Sequence, residues 1–362
     1  MLKKKFLTLM NWIYKNAFYV ILTLATAFRL YYYIVNPSFF LDEARTGAYL
    51  YKDIDWYFGI TWPIGQLWLQ QIISSIFGYY EYVLRLTPFL ASILNMIVGY
   101  KLMNKWFGKN FATIFLALFA FAPLTVQFSI EYKQYSVDLL ITALYMLTFT
   151  NIIKENVVSN KNFVFLLLLS ILGPWLSYPL IFSMVTWTGL YLIFKKFKVN
   201  KDNVKIVTAA FLGGISFVFL YILFIKQSTQ ATGLIDYWNA YYMPLNPIKL
   251  LHWIKFITLD ISENLLGFRH YFILLGVVLV GIGLLFIILD KKYKEALFFL
   301  SPLLLVLIAS IFKKYPFGER VLFFLLPSFY LLVTYGVLAF KKLTDVKLIK
   351  KFSYLTKYAS HL

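Results

Sequence analysis

Two groups of acidic residues in this sequence stand where they could move a proton, with basic residues close by. Asp42 and Glu43 are adjacent, and Arg45 follows. Glu131 precedes Lys133 by two positions and Asp138 by seven, and Lys313, Lys314 and Arg320 gather in a short segment further on. A carboxylate within hydrogen-bond reach of a hydroxyl serves as a general base, and cations beside it can hold an anionic leaving group such as phosphate. Arg grips phosphate through paired hydrogen bonds, while Lys acts as a point charge. Each group also has a plainer role. Asp42 and Glu43 can be a solvated acidic loop, Glu131 can favour a helix N-terminus through its dipole, and Lys133 can simply neutralise Glu131 or Asp138.

Other chemistries fit less well. With no cysteine, disulfides, thiolate metal sites and a Cys nucleophile are excluded. The three histidines, His252, His270 and His361, are too scattered for a three-histidine metal centre. Asp53-Ile54-Asp55 has the D-x-D form that elsewhere binds the metal of a nucleotide sugar, but so short a motif arises often by chance. No cofactor is assigned, and a divalent metal at the acidic rim, on Asp42, Glu43 or Glu131, is left open.

The elements that must position these groups are membrane helices. Of the 362 residues, 61% are hydrophobic, 14% are charged and 20% are aromatic, and the mean hydropathy is +0.72. Soluble domains are about 45–50% apolar and about 25% charged. The abundance of Phe, Tyr and Trp fits lipid-facing helices with aromatic belts at the interfaces. About 20 apolar residues cross a hydrocarbon core of roughly 30 Å. Such runs predict spans at 17–35, 84–103, 111–128, 132–152, 162–176, 178–194, 206–225, 270–289, 296–312 and 321–340. The fifth and sixth are divided by Gly173, Pro174, Ser177 and Pro179, read as a tight outer turn. The expected fold is all-α, a polytopic integral membrane protein of about ten transmembrane helices. It forms a single domain over 1–362, with 341–362 as a basic cytoplasmic tail.

Charge orients it. The proposed inner segments hold 23 of the 35 Lys and Arg and five of the 16 acids, a net of +18 out of +19. This is the positive-inside asymmetry. It predicts that both termini are cytoplasmic and explains the basic character without nucleic acid. Lys3, Lys4 and Lys5 ahead of the first span read as a retained signal anchor. Most of the acids then lie outside. In the first outer loop, 64–78 reads as an interfacial helix. In the third, Asn246-Pro247 opens a second one over 247–259, with Ile248, Leu251 and Ile254 at helical spacing. At 100° per residue, Glu131 and Asp138 share a helix face, with Asp138 two turns deeper, where an acid needs a cavity or a partner. Arg29 can snorkel outward or pair with an acid of the first loop, and Arg85 reads as an interface anchor.

Three stretches together resemble a known family: Phe40-Leu41-Asp42-Glu43-Ala44-Arg45; Ser129-Ile130-Glu131-Tyr132-Lys133-Gln134-Tyr135-Ser136-Val137-Asp138; and Tyr315-Pro316-Phe317-Gly318-Glu319-Arg320, followed by a span containing Pro327. In this order they look like the polytopic C-type-fold glycosyltransferases, and in particular the compact prokaryotic members of family 39, the protein mannosyltransferase and aminoarabinose transferase-like group. The resemblance implies transfer of a sugar from a polyprenyl-phosphate carrier, with inversion, to an acceptor on the non-cytoplasmic face. The partners implied are that donor, the bilayer, and a protein, glycolipid or polysaccharide acceptor. Carried onto this sequence, Asp42 is the catalytic carboxylate, with Glu43 and Glu131 shaping the site. Arg45, Lys133, Tyr135, Asp138, Tyr315, Glu319 and Arg320 are the substrate- or phosphate-binding candidates. Against that resemblance, the chain is expected to depart from some relatives in lacking their large soluble C-terminal domain. A transporter or flippase is the rival reading. It predicts acids near the bilayer midplane and matched halves, whereas here the acids gather at one rim and no internal repeat is found. A catalytically inactive transferase-like scaffold is the other.

Overall fold

The computed structural model describes residues 10–50, 61–227 and 233–345. Asp53, Asp55, Lys3 to Lys5 and the tail from 346 onward lie outside the described residues. Among those described, all the regular secondary structure is helical, with no strand. The helices are α1 (Ala17–Val35), α2 (Leu41–Tyr49), α3 (Ile64–Phe77), α4 (Glu81–Phe107), α5 (Lys109–Ala120), α6 (Pro123–Ile130), α7 (Tyr135–Glu155), α8 (Asn160–Leu176), α9 (Leu180–Phe194), α10 (Lys201–Leu220), α11 (Leu234–Tyr237), α12 (Pro247–Asp260), α13 (Ile273–Leu289), α14 (Tyr293–Ile311) and α15 (Leu326–Asp345).

A helix stands at each of the ten expected spans. Seven stretches are long and apolar enough to cross a membrane, and the bent pair α5–α6 makes an eighth. The other two, α8 and α9, have 17 and 15 residues, short of the roughly 20 that a full crossing needs. The turn between them is only Ser177-Tyr178-Pro179; Gly173 and Pro174 lie inside α8. This is a multi-pass integral membrane protein. In such a bundle the backbone satisfies itself and side-chain packing supplies the contacts. On α13, Gly283 lets the helix meet the Leu332 backbone of α15, and Gly336 of α15 admits Leu279 in return; a Cβ at either position would collide with a carbonyl. α15 is buried from Leu326 to Gly336, whereas α1 shows most of its surface to the surroundings.

The expected span 111–128 is broken. α5 and α6 meet at 60°, because Pro123 has no N–H for the preceding turn. Carbonyls freed at the bend find other donors. Arg29 of α1 donates to Ala120 O at 2.7 Å and to the Thr125 hydroxyl at 3.1 Å, and Thr125 reaches Phe119 O at 2.8 Å. Arg29 therefore neither snorkels nor pairs with an acid: it is fully buried, capping the bend.

The two expected interfacial helices are present. On α3, Gln66, Gln70 and Ser74 recur every four residues and are buried, while Leu69, Ile72, Ile76 and Phe77 are exposed. That pattern inverts a soluble helix and suits one whose outer face meets lipid. The polar side is satisfied: Gln70 donates to Val83 O at 3.2 Å and accepts from Thr87 at 2.8 Å. α12 starts at Asn246, whose side-chain oxygen accepts from the N–H groups of Ile248 and Lys249. It presents Ile248, Leu251 and Ile254 outward and buries Trp253 and Ile257.

Candidate functional site

Asp42 and Glu43 occupy the first turn of α2, about 100° apart around its axis, so they face different surroundings. Glu43 points into the protein and is 2% exposed. Arg85 of α4 grips it with both arms of the guanidinium, Nε to Oε1 at 3.2 Å and Nη2 to Oε2 at 3.1 Å. The Tyr132 N–H donates to Oε1 at 2.7 Å and the Phe40 N–H to Oε2 at 3.0 Å. Arg85 turns its remaining arm to Asn36 and the Pro37 carbonyl. Four donors fill the Glu43 carboxylate, so it ties the start of α2 to α4 and to the 131–134 segment rather than meeting a substrate. Arg85 is accordingly no interface anchor. It is buried, and an Arg flanked by Leu84 and Leu86 at the head of an apolar helix needs such a partner.

Asp42 faces the other way. Its side chain is 46% exposed, and the Lys133 ammonium lies 3.0 Å from Oδ2. The bond from Lys133 holds the Asp42 carboxyl below its ordinary range, against a smaller opposing effect of burial; the charges of Lys133, Arg320 and Arg45 add to the lowering. The α2 N-terminus favours the anion in the same direction. Lys133 itself is only 11% exposed, so its stem is packed and its head is directed.

Glu131 ends α6 in an extended conformation, and residues 131–134 are not helical before α7 starts at Tyr135. The shared helix face expected for Glu131 and Asp138 therefore does not exist. Glu131 accepts from Gln127 at 2.7 Å, and burial pushes its carboxyl upward. Asp138 lies deeper and is 6% exposed, with its Oδ1 lacking a hydrogen-bond partner. The Ser177 hydroxyl and the Tyr135, Tyr178 and Tyr315 phenols surround it.

The 313–320 segment divides as well. Tyr315 packs its ring on Phe182 and donates its hydroxyl to Val321 O at 2.9 Å. Burial pushes that hydroxyl up. Glu319 accepts from the Tyr241 hydroxyl, and its N–H donates to Asp260 Oδ2 at 2.9 Å. With Asn264 on the other Asp260 oxygen, these residues clasp the end of α12 to the 313–320 segment. Burial raises the Asp260 carboxyl. Arg320, next in the chain, lies over the Trp238 ring and reaches the Tyr237 hydroxyl at 3.4 Å, and its Nε has no partner. Its charge acts on Asp42, Glu131 and Tyr135.

Five of the ten sequence candidates thus converge: Asp42, Arg45, Glu131, Lys133 and Arg320. Tyr135 borders them, and Asp138 with Tyr315 lies beneath. Glu43 and Glu319 belong to the two clasps. The sequence reading missed Asn36, Tyr241 and Asp260 and misassigned Arg85. Asp42 and Glu131 are the carboxylates a divalent ion would reach here, and among the described residues no three of His, Asp and Glu gather as a metal site requires.

The model of the family described as dolichyl-phosphate-mannose-protein mannosyltransferase matches residues 62–230. The match takes in Glu131, Lys133, Tyr135 and Asp138 and leaves Asp42 and 315–320 outside. No curated protein matches the chain. Among solved structures, the chain is similar to the Archaeoglobus fulgidus oligosaccharyltransferase in complex with Zn and sulfate, at a TM-score of 0.55 and 15% identity, over 94% of this chain and 51% of that one. It is similar also to the oligosaccharyltransferase AglB of Archaeoglobus fulgidus in complex with an inhibitory peptide and a dolichol-phosphate, at a TM-score of 0.53 and 14% identity, over 94% and 52%. The chain spans about half the length of these structures, and at such identity they show the fold. Both comparisons are consistent with the resemblance to C-type-fold glycosyltransferases, the family match taking in the second of the three stretches.

Proposed function

We propose that the chain is a membrane glycosyltransferase that takes a sugar from a polyprenyl-phosphate carrier and passes it, with inversion, to a hydroxyl on the outer face of the cytoplasmic membrane. The observation that carries the reading is the half-exposed Asp42 carboxylate paired with Lys133, with the charges of Arg320 and Arg45 acting on it, at one end of a membrane-crossing bundle. Asp42 removes the proton from the acceptor hydroxyl, and the acceptor oxygen forms the new bond to the sugar's anomeric carbon. The bond from that carbon to the phosphate oxygen breaks, and the electron pair leaves with the phosphate. The cations hold the charge that develops there.

The charges suit this donor. Glu43 and Arg85 cancel each other, and Lys133, Arg45 and Arg320 remain as cations near Asp42 for an anionic phosphodiester. Placing the site on the outer face rests on the positive-inside distribution of Lys and Arg. The complex of AglB with an inhibitory peptide and a dolichol-phosphate supports a lipid-linked donor and a protein acceptor in general.

The test incubates the purified chain in nanodiscs with a panel of polyprenyl-phosphate sugars and follows free polyprenyl phosphate by mass spectrometry. Release by the wild type and not by Asp42→Asn is the expected result. Equal release by both proteins removes Asp42 from the chemistry, and solute counterflow in proteoliposomes without release would point to the transporter instead.

A further inference from the structure

Lys133 is given two tasks that exclude each other. As a phosphate ligand it must face the donor, yet its ammonium lies 3.0 Å from Asp42. While that pair persists, Asp42 is a poor base, because the cation stabilises the carboxylate and weakens its hold on a proton. A Lys head is one compact charge on a pivoting stem, so it can exchange one anion for another without moving its backbone. The surroundings allow the exchange. Lys133 is only 11% exposed, so its stem is packed, whereas the Asp42 side chain is 46% exposed and open to an arriving acceptor. Arg320 is held over Trp238 and beside Tyr237, leaving Lys133 as the cation whose departure changes Asp42 most.

We infer that Lys133 exchanges partners during turnover, holding Asp42 until the donor phosphate arrives and then moving its ammonium to the phosphate, so that Asp42 becomes a working base only in the donor-bound protein. This inference rests on the transferase reading above. With Lys133 gone, the α2 N-terminus, Arg45 and Arg320 keep Asp42 ionised, and its affinity for a proton rises. Asp42 then takes the acceptor's proton as the acceptor oxygen bonds to the sugar and the sugar–phosphate bond breaks. The product is a phosphate monoester, which carries more negative charge than the diester, so it keeps Lys133. Only when it leaves does Lys133 return to Asp42 and drive the proton off to solvent. An acceptor that arrives before the donor meets a base already occupied.

The experiment measures binding of polyprenyl phosphate alone to the full chain in nanodiscs, for wild type, Asp42→Asn, Lys133→Gln and the double variant. If phosphate must win Lys133 from Asp42, Asp42→Asn tightens binding about fivefold, the scale of one part-exposed ion pair. In the Lys133→Gln background the same change gives less than about twofold, which is the general effect of removing a negative charge. Equal effects in both backgrounds, or weaker binding by Asp42→Asn, would overturn the exchange while leaving the transferase reading standing. Failure of the wild type to bind polyprenyl phosphate at all would remove both. A second cycle with Asp42→Ala and Lys133→Met, each first shown by melting to be folded, guards against an idiosyncratic variant.

Discussion

Asp42 and Glu43 are chain neighbours of the same charge on the same turn of α2, and they live in opposite circumstances. Glu43 is 2% exposed, saturated by four donors and paired with a buried Arg85. Asp42 is half open and paired with one Lys. The 100° step of a helix separates a carboxylate that holds the architecture from one that stays available. A filled carboxylate has no lone pair to offer and its loss unravels contacts, whereas an open one can be lost at little structural cost.

That contrast breaks most directly at Asp42. Asp42→Asn should lower the turnover of sugar transfer by about 10²–10⁴-fold, the usual contribution of a general base, while thermal melting in detergent stays within about 0.5 kcal/mol of wild type, as for surface substitutions. A variant with full turnover would put Asp42 on the structural side.

The reverse is expected at the other pair. Arg85→Ala strands a buried carboxylate and should cost about 3–5 kcal/mol of stability, read as a lower melting temperature or loss of folded protein on extraction. Arg85→Lys keeps the charge but loses the fork, so it should recover only part of that. Stability equal to wild type in Arg85→Ala would mean the clasp holds nothing.

Arg29 sharpens the comparison away from the rim. Arg29→Met removes the donor to the Ala120 carbonyl at the α5–α6 bend and should cost about 1–3 kcal/mol, the desolvation penalty of one buried acceptor. Smaller still is the N-cap of α12. Asn246→Ala should cost about 1 kcal/mol, visible as faster amide exchange at Ile248 and Lys249 with no change around Asp42.

The smallest effect is the pH dependence of the Asp42 pair. Its folded carboxyl lies below the ordinary value, so the pair contributes stability that is present above the unfolded value near pH 4 and is lost as pH falls through the lower folded value. At 46% exposure, solvent screening limits this to about 0.5 kcal/mol. Melting temperatures of wild type and Asp42→Asn should therefore differ slightly at pH 7 and converge in stronger acid.

The helices were legible because lipid leaves the backbone no alternative to self-satisfaction, and hydropathy reports that directly; the first span was placed to the residue at 17–35. The bend was written in Pro123 and passed over because the apolar run continues through it. The break at 131–134 has no such mark: Glu131-Tyr132-Lys133-Gln134 contains neither Gly nor Pro. What ends the helix there is tertiary, the Tyr132 N–H being drawn to Glu43. For the same reason the sequence showed that Asp42, Glu43, Glu131 and Lys133 belong together but not which carboxylate takes which cation. That choice depends on Arg85 arriving from 42 residues away. Asp260 was invisible because its partners, Tyr241 and Glu319, come from separate loops.

The bend capped by Arg29 also sets a height. With α5 along the membrane normal, its 12 residues rise about 18 Å, and the 8 residues of α6, inclined at 60°, add only about 6 Å. Unbent, the same residues would rise about 30 Å. The ledge bearing Glu131 and Lys133 is thereby lowered about 6 Å, close to the thickness of one headgroup layer. On the proposed transferase reading, a phosphate whose isoprenoid tail remains among the acyl chains would meet Lys133 at its own depth, and no energy would be needed to lift the tail into water.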